Sequence, residues 1–172
     1  MKQYIGTKRV NAVPMTRMHY NLLRGWELPA DENGEDEGYL VEYLDGGKPN
    51  HKDYQGYISW SPKAQFENAY RENGGLTFGE ALNALKTGLP VTREGWNGKD
   101  TFISLSGKLE GNPVKADNFW SESNRAYART QPNQELVVLP CITMKLSSGR
   151  VFMGWQPSQL DILAEDWSIY QL

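Results

Sequence analysis

The sequence is poor in the residues on which many enzymes and secreted proteins depend. Its 172 residues include one cysteine and two histidines, so an intrachain disulfide is excluded and a zinc site of cysteine and histidine is not supported. Neither His19 nor His51 lies beside a serine or cysteine motif typical of a nucleophilic catalyst. Cys141 has apolar neighbours in the sequence, where a thiol usually behaves as a small hydrophobic group.

Long apolar runs and runs of positive charge are also absent. No stretch approaches the roughly 18 to 20 apolar residues that cross a membrane, and the amino terminus MKQYIGTKRV lacks the apolar core of a signal peptide. The formal net charge is −3, and no stripe of lysine and arginine suits a nucleic-acid backbone. We expect a cytoplasmic protein without membrane or nucleic-acid polymer as partner. A small anionic ligand stays compatible, because one or two arginines and backbone N-H groups suffice to hold it.

Cofactor and catalytic fingerprints are missing as well. There is no glycine-rich phosphate loop or dinucleotide motif, and the acidic segment PADENGEDEG lacks the alternate-position spacing of a calcium loop. Glu165 and Asp166 are the obvious acid and base pair, but neighbours on a strand point to opposite faces. The sequence therefore predicts no cofactor, no metal site and no catalytic residue.

Turn signals divide the chain into two parts. The segment ENGG at residues 72–75 ends one pattern, and a complete helix signal follows at once. We therefore predict an α+β chain of two small domains, residues 1–75 and 76–172. In the second domain, a helix is expected to pack on an antiparallel sheet.

Local signals predict the elements of the first part. Thr16 is expected to cap a short helix that ends at Gly25. The residue pattern predicts strands at residues 39–45 and 56–60, which are expected to pair. Ser61, which precedes a proline, is predicted to cap the helix that follows.

The second part contains the clearest helix of the sequence. Thr77 and Glu80 fit a capping box, in which hydroxyl and carboxylate each satisfy one backbone N-H. Gly88 is expected to end this helix in the left-handed conformation. Further on, Ser158 is predicted to cap one helical turn, and DWSIYQL is predicted to be the closing strand.

The stretch REGWNGKD, residues 93–100, is predicted to be the corner of a hairpin, because Asn97 and Gly98 favour a tight turn. It also offers a flat stacking face in Trp96, an amide in Asn97 and a phosphate fork in Arg93. The same three residues suit a purely structural interpretation. In that case Trp96 is buried, the asparagine serves the turn and the arginine is solvated.

Other polar and aromatic residues allow two interpretations in the same way. Six tryptophans are costly to leave exposed and frequent at binding surfaces. Gln159 and Asp161 suit either hydrogen bonds to ribose hydroxyls or local helix capping.

The run TFGEALNALKTGLPVTREGWNGKDTFISL, together with MGWQPSQLDILAEDW, resembles the phage family of type-two Thoeris anti-defence sponges. The resemblance covers residues 76–172 and departs from the family at WQPSQ, where relatives read WLASQ. Residues 1–75 resemble a separate small phage module through SWSPKAQFENAYR, and this likeness implies no known activity.

The resemblance implies a phage protein in the cytoplasm of the infected bacterial host. Such a protein binds cyclic ADP-ribose isomers, and in some relatives cyclic dinucleotides, without cleaving them. It also implies a homo-oligomer, commonly a tetramer, with ligand sites near subunit contacts. The alternatives are a hydrolase of the same signal and a virion or assembly protein that uses its tryptophans for protein contact.

From these considerations we assign roles to six candidate ligand-binding residues. Phe78 and Trp96 are expected to contact the base and Arg93 the phosphates. The expected contacts to ribose or base edges come from Asn97, Gln159 and Asp161.

Overall fold

The computed structural model describes residues 1–3, 6, 8–96 and 98–172. They form two compact units, Met1–Arg71 and Glu72–Leu172. Each unit combines helices with antiparallel strands, which confirms the predicted α+β class. That the two parts are separate domains stays a prediction. Within the described part of the chain, no helix combines the length and the apolar character that a bilayer crossing requires.

The first unit is a three-stranded antiparallel sheet with two helices. Its strands lie in the order β1-β2-β3. The elements are β1 Val10–Pro14, α1 Arg17–Arg24, β2 Gly38–Tyr43, β3 Tyr57–Pro62 and α2 Lys63–Ala69. The predicted pairing of the second and third strands is confirmed, with Leu40 opposite Trp60.

In the first unit, the predicted cap of α1 is confirmed and the predicted cap of α2 is wrong. Thr16 caps α1 and Gly25 ends it with φ 68°, as predicted. The predicted cap at Ser61 is wrong, because β3 continues to Pro62, and this residue precedes α2 without a side-chain hydrogen bond. Pairing of Ser61 with Tyr39 across the sheet accounts for the extra strand length.

Aromatic residues pack on the first sheet at two places. On one face, Tyr20 of α1 packs with Leu40 and Ile58 in a buried cluster. Elsewhere in the unit, Phe66 of α2 stacks on Tyr39 of β2, with the ring centroids 4.2 Å apart. The unit therefore has a core of its own.

The second unit is built on a five-stranded antiparallel sheet with the strand order β10-β4-β5-β8-β9. A separate pair of strands, β6 and β7, lies beside a short helix. The strands are β4 Val91–Arg93, β5 Phe102–Ser106, β6 Asn112–Lys115, β7 Glu135–Val138, β8 Cys141–Lys145, β9 Val151–Met153 and β10 Trp167–Ile169. The helices are α3 Phe78–Lys86, α4 Glu122–Arg129 and α5 Gln159–Ile162, with a 3-10 turn at Ala116–Asn118.

Helix α3 packs its apolar side on this sheet. Ala81 and Leu85 are buried with Val91, Ile103 and Trp167 in one cluster. The predicted capping box at the start of α3 is confirmed, and Gly88 follows its end with φ 87°. The core thus connects α3 to the strands that carry the predicted site.

The corner between β4 and β5 differs from the predicted tight turn. The strands pair, with Val91 opposite Ile103, but residues 94–101 separate them, so the two-residue turn is wrong. Asn97 lies outside the described residues. Gly98 is needed for space, since a Cβ atom there would clash with the Thr101 hydroxyl.

Candidate functional site

The side chain of Arg93 joins the end of β4 to the C-terminal segment. Its Nε and Nη2 atoms donate to the two carboxylate oxygens of Asp166, at 2.7 and 3.3 Å. Its Nη1 atom donates to Asp161 at 2.7 Å. The Arg93 side chain is 14% exposed, so these paired contacts lie largely out of water, where ion pairs are screened least.

Asp161 is the centre of this arrangement. Its Oδ1 atom accepts hydrogen bonds from Arg93 and, at 3.1 Å, from the indole nitrogen of Trp96. Its Oδ2 atom accepts from the backbone N-H of Ser158 at 2.8 Å and from the Ser158 hydroxyl at 2.7 Å. Ser158 caps α5 as predicted. One buried carboxylate therefore fixes both the start of α5 and the corner after β4.

Asp166 also binds the corner that follows β4. Its Oδ2 atom accepts a hydrogen bond from the backbone N-H of Gly95 at 2.9 Å. A Cβ atom at position 95 would lie 2.9 Å from Arg93 Nη2 and 3.1 Å from Asp166 Oδ2. The absence of a side chain at Gly95 thus allows the close approach of arginine, carboxylate and backbone.

Three tryptophan rings meet edge to face beside the ion pairs. The Trp96 ring centroid lies 5.2 Å from that of Trp167 and 5.9 Å from that of Trp155. Trp167 is fully buried, and its indole nitrogen donates to the backbone carbonyl of Asp161 at 3.0 Å. Phe78 contacts the cluster at 5.6 Å from the Trp167 centroid. Trp96 itself is half-buried and is held on several sides.

The hydrogen bonds keep both aspartates ionised. The Arg93 guanidinium, helped by the Gly95 N-H, lowers the pKa of Asp166 despite partial burial. For Asp161, burial is the largest influence and raises the pKa, but the bonds from Ser158, Arg93 and Trp96 together hold this pKa below its ordinary value. The arginine and the two carboxylates therefore carry a formal charge of −1 at neutral pH.

The structure brings three of the predicted site residues into direct contact. These are Arg93, Trp96 and Asp161, and Phe78 joins them through Trp167. Gln159 lies exposed at the start of α5, and Asn97 is outside the described residues. The ligand contacts of all six residues stay predictions. The engaged donors of Arg93 and the saturated oxygens of Asp161 favour positioning roles for these two.

The sequence interpretation missed Asp166 as the partner of Arg93, and Trp155 and Trp167 as the walls around Trp96. In the sequence, Asp166 belongs to the acid and base pair and to the tail that carries the family resemblance, and neither feature links it to Arg93. Nothing in a single sequence links Arg93 to a carboxylate that lies 73 positions further along the chain. The tryptophan count was the one available signal for an aromatic cluster.

A cluster of hydroxyl groups lies on the neighbouring strands β5 and β8. The Thr143 hydroxyl is 3.1 Å from the hydroxyls of both Ser104 and Ser106. Because these groups satisfy one another, a structural role is favoured. In the part of the chain that the structure describes, no three His, Cys, Asp or Glu residues group as metal ligands.

Replacing Asp166 by asparagine is expected to destabilise the second unit by about 2 kcal/mol at pH 7. Loss of one partner of a buried ion pair costs about 3 to 5 kcal/mol, and the partial exposure of Asp166 reduces this value. The pKa of Asp166 is lowered on folding, so its contribution is present above the unfolded pKa of about 3.9 and is lost as the pH falls.

Urea denaturation of the parent and D166N chains between pH 7 and pH 3 measures this effect. The difference between the two chains should be largest at pH 7 and shrink below about pH 4. A difference that is constant with pH would show that the charge of Asp166 contributes nothing.

Comparison with known proteins finds two matches to the second unit. The Tad2-like family model, described as the Thoeris anti-defense 2-like domain, matches residues 76–170. A relative named Thoeris anti-defense 2, from Bacillus phage SP01, is 36% identical over 94 residues, which are 55% of this chain and 93% of the relative. The range matched by the family model includes Arg93, Trp96, Asp161 and Asp166.

Proposed function

We propose, on the premise that this chain belongs to the Thoeris anti-defense 2-like family, that it binds a cyclic nucleotide signal and holds it intact. The family assignment confirms the resemblance predicted from the sequence. A phage anti-defense role against Thoeris, exerted in the host cell, accompanies this family. Cyclic ADP-ribose isomers are the ligands we propose, with cyclic dinucleotides as a second class.

The observation that carries the proposal is the fixed position of the half-buried Trp96. Its nitrogen is bound by Asp161, and Trp155 and Trp167 meet it edge to face. A ring that is already immobile loses little freedom when a ligand binds. Stacking of a base on an aromatic side chain contributes about 1 to 3 kcal/mol. A fixed indole at a corner is thus suited to a base.

The phosphates of the ligand need positive charge from a further source. Arg93 already faces two carboxylates, and a net charge of −1 there repels a phosphate. We therefore propose that Arg93 and Asp161 position Trp96, and that Trp96 and Phe78 contact the base. The predicted phosphate contact of Arg93 is the weaker alternative. A second copy of the chain is the proposed source of the missing charge.

The free edge of the five-stranded sheet is where we propose that copies meet. Strand β9 is at the end of the strand order, and all three of its residues are exposed and apolar. An exposed apolar edge strand is a ready site for association with another chain. This surface supports the homo-oligomer that the resemblance implies, and the subunit number stays a prediction.

Replacing Val151 by lysine is expected to shift the chain toward the monomer, because a charge on an edge strand opposes pairing. Leu109→Lys is the matched control, since Leu109 lies outside the strands, and Leu109 and Val151 are 59% and 62% exposed. Light scattering during size-exclusion chromatography gives the mass of each variant. Equal masses for V151K and the parent oligomer would contradict the proposed edge, and a monomeric parent would contradict the oligomer.

Calorimetric titration of the full chain with cyclic ADP-ribose isomers tests the function. Stoichiometric capture requires a dissociation constant in the nanomolar range, about −12 kcal/mol. Association costs at least about 4 kcal/mol, so the contacts must contribute at least about 16 kcal/mol in total, which corresponds to six or more stacking contacts and charge-assisted hydrogen bonds of up to about 3 kcal/mol each. Absence of binding to every isomer and to cyclic dinucleotides would contradict the proposal.

The hydrolase alternative finds little support in the geometry of the aspartates. A general acid must hold a proton near neutral pH. Asp166 is ionised, and its oxygens are already bonded to Arg93 and Gly95. Asp161 is bonded on both oxygens as well. Binding without cleavage is therefore the function we propose.

A further inference from the structure

A shallow cavity of about 400 Å³, open to solvent, lies in the first unit, which the family match does not include. Its lining consists of three tyrosines, one serine, one lysine and a pair of glycines. The volume is within the range of about 300 to 1,000 Å³ that is typical of small-molecule sites. Nothing in the proposed function uses this cavity.

Hydroxyl groups converge in this cavity. The Ser59 hydroxyl donates to the Tyr43 hydroxyl at 3.3 Å. Tyr70, the residue that ends α2, is a further lining residue. Burial raises the pKa of Tyr70, and Tyr43 and Asp45 add to the effect. The Tyr70 phenol is therefore neutral and can both donate and accept hydrogen bonds.

The positive charge of Lys8 at the cavity is balanced by the negative charge of Asp45. Lys8 Nζ lies 5.0 Å from the centroid of the Tyr43 ring and 3.6 Å from Asp45 Oδ2. Lys8 lines the cavity and its charge is offset by Asp45, so the lining favours neither an anionic nor a cationic ligand. A purely apolar ligand would cover the lining hydroxyls without offering them further hydrogen bonds, which is unfavourable. These groups together select a neutral ligand rich in hydroxyl groups.

The shape of the aromatic walls excludes a flat ring between them. The rings of Tyr43 and Tyr57 are inclined by 45°, with centroids 6.3 Å apart, and Lys8 covers one face of Tyr43. A nucleobase sandwich requires two parallel faces. A pyranose ring instead presents an apolar C-H face to one aromatic ring and hydroxyls around its edge. We infer that the first unit binds a neutral saccharide through one pyranose ring at Tyr57.

The glycine pair meets a requirement of the backbone at this side of the cavity. Gly46 and Gly47 have φ of 118° and 101°, values that residues with side chains rarely adopt. A Cβ atom at Gly47 would lie 3.5 Å from the Cβ atom of Tyr57. The ring of Tyr57 stays accessible, since this residue is 47% exposed.

Saturation-transfer NMR with the full chain tests the inference. The probes are methyl α-D-glucopyranoside, methyl β-D-galactopyranoside and N-acetylglucosamine, with adenosine as the flat-ring comparison. We expect transfer to the ring C-H protons of at least one pyranoside, with a dissociation constant of about 1 mM and weaker transfer to adenosine. Tyr57→Ala should weaken binding at least tenfold, and Tyr57→Phe should retain it.

Tyr127→Ala is the matched control, because Tyr127 is 60% exposed in the second unit, and this variant should bind like the parent. Ser59→Ala removes one cavity hydroxyl and keeps every ring, so it should weaken binding even if Tyr57→Ala does not fold. Three results would overturn the inference. These are no transfer to any pyranoside, stronger binding of adenosine, and unchanged binding in a folded Tyr57→Ala or Ser59→Ala chain.

Discussion

Replacing Trp167 by alanine is expected to destabilise the second unit by about 4 kcal/mol, since truncation of a buried tryptophan costs about 3 to 5 kcal/mol. Trp167 is the largest fully buried side chain of the protein. Its ring contacts Phe78, Trp96 and Trp155, and alanine leaves a cavity among them. The bond from its indole nitrogen to the Asp161 carbonyl is lost as well.

Urea denaturation followed by circular dichroism measures this loss, and the affected transition should be that of the second unit. Trp120→Ala is the control, because Trp120 is 89% exposed and surface substitutions usually change stability by less than about 0.5 kcal/mol. If both alanine variants unfold at the same urea concentration as the parent, the tryptophan cluster is not the core of this unit.

Replacing Trp96 by alanine is expected to weaken nucleotide binding at least 100-fold, which corresponds to about 2.7 kcal/mol. The change removes the stacking face, with its contribution of about 1 to 3 kcal/mol. It also frees one hydrogen bond of Asp161, so the corner that presents the ligand becomes less rigid. Trp96→Phe keeps an aromatic face without the nitrogen and should lose less affinity.

Calorimetric titration of W96A, W96F and the W120A control gives the three affinities. Trp96 is half-buried, so the thermal stability of each variant is measured alongside. Equal affinity of W96A and W120A in folded chains would remove Trp96 from the site. Loss of affinity in W120A of the same size would place the site elsewhere.

The elements that the sequence predicted correctly depend on contacts within a few residues. Thr77 and Glu80 satisfy each other's backbone N-H groups three positions apart. Gly25 ends its helix because glycine adopts the left-handed conformation at little cost. Ser158 caps α5 through the N-H of Asp161. All residues that form such a signal lie within a few positions of one another, so the sequence alone predicts the structure.

The features that the sequence did not predict depend on residues far apart in the chain. Arg93 was predicted to be a phosphate ligand, and its actual neighbours include Asp161 and Asp166. The prediction of a tight turn was wrong for a related reason. Asp166 accepts a hydrogen bond from the N-H of Gly95 within this corner, a contact that the turn motif alone does not predict. The geometry of this corner depends on ion pairs between residues far apart in the sequence, and hydrophobic periodicity does not predict these pairs.

Our central claim is that the chain captures a cyclic nucleotide without breaking any bond, and recovery of the captured ligand tests this claim most directly. The full chain is incubated with a cyclic ADP-ribose isomer, freed of unbound nucleotide by filtration, denatured by heat and analysed by mass spectrometry. We predict return of the intact isomer in a fixed ratio to protein. Release of a linear or hydrolysed product, or an empty protein fraction, would contradict the account.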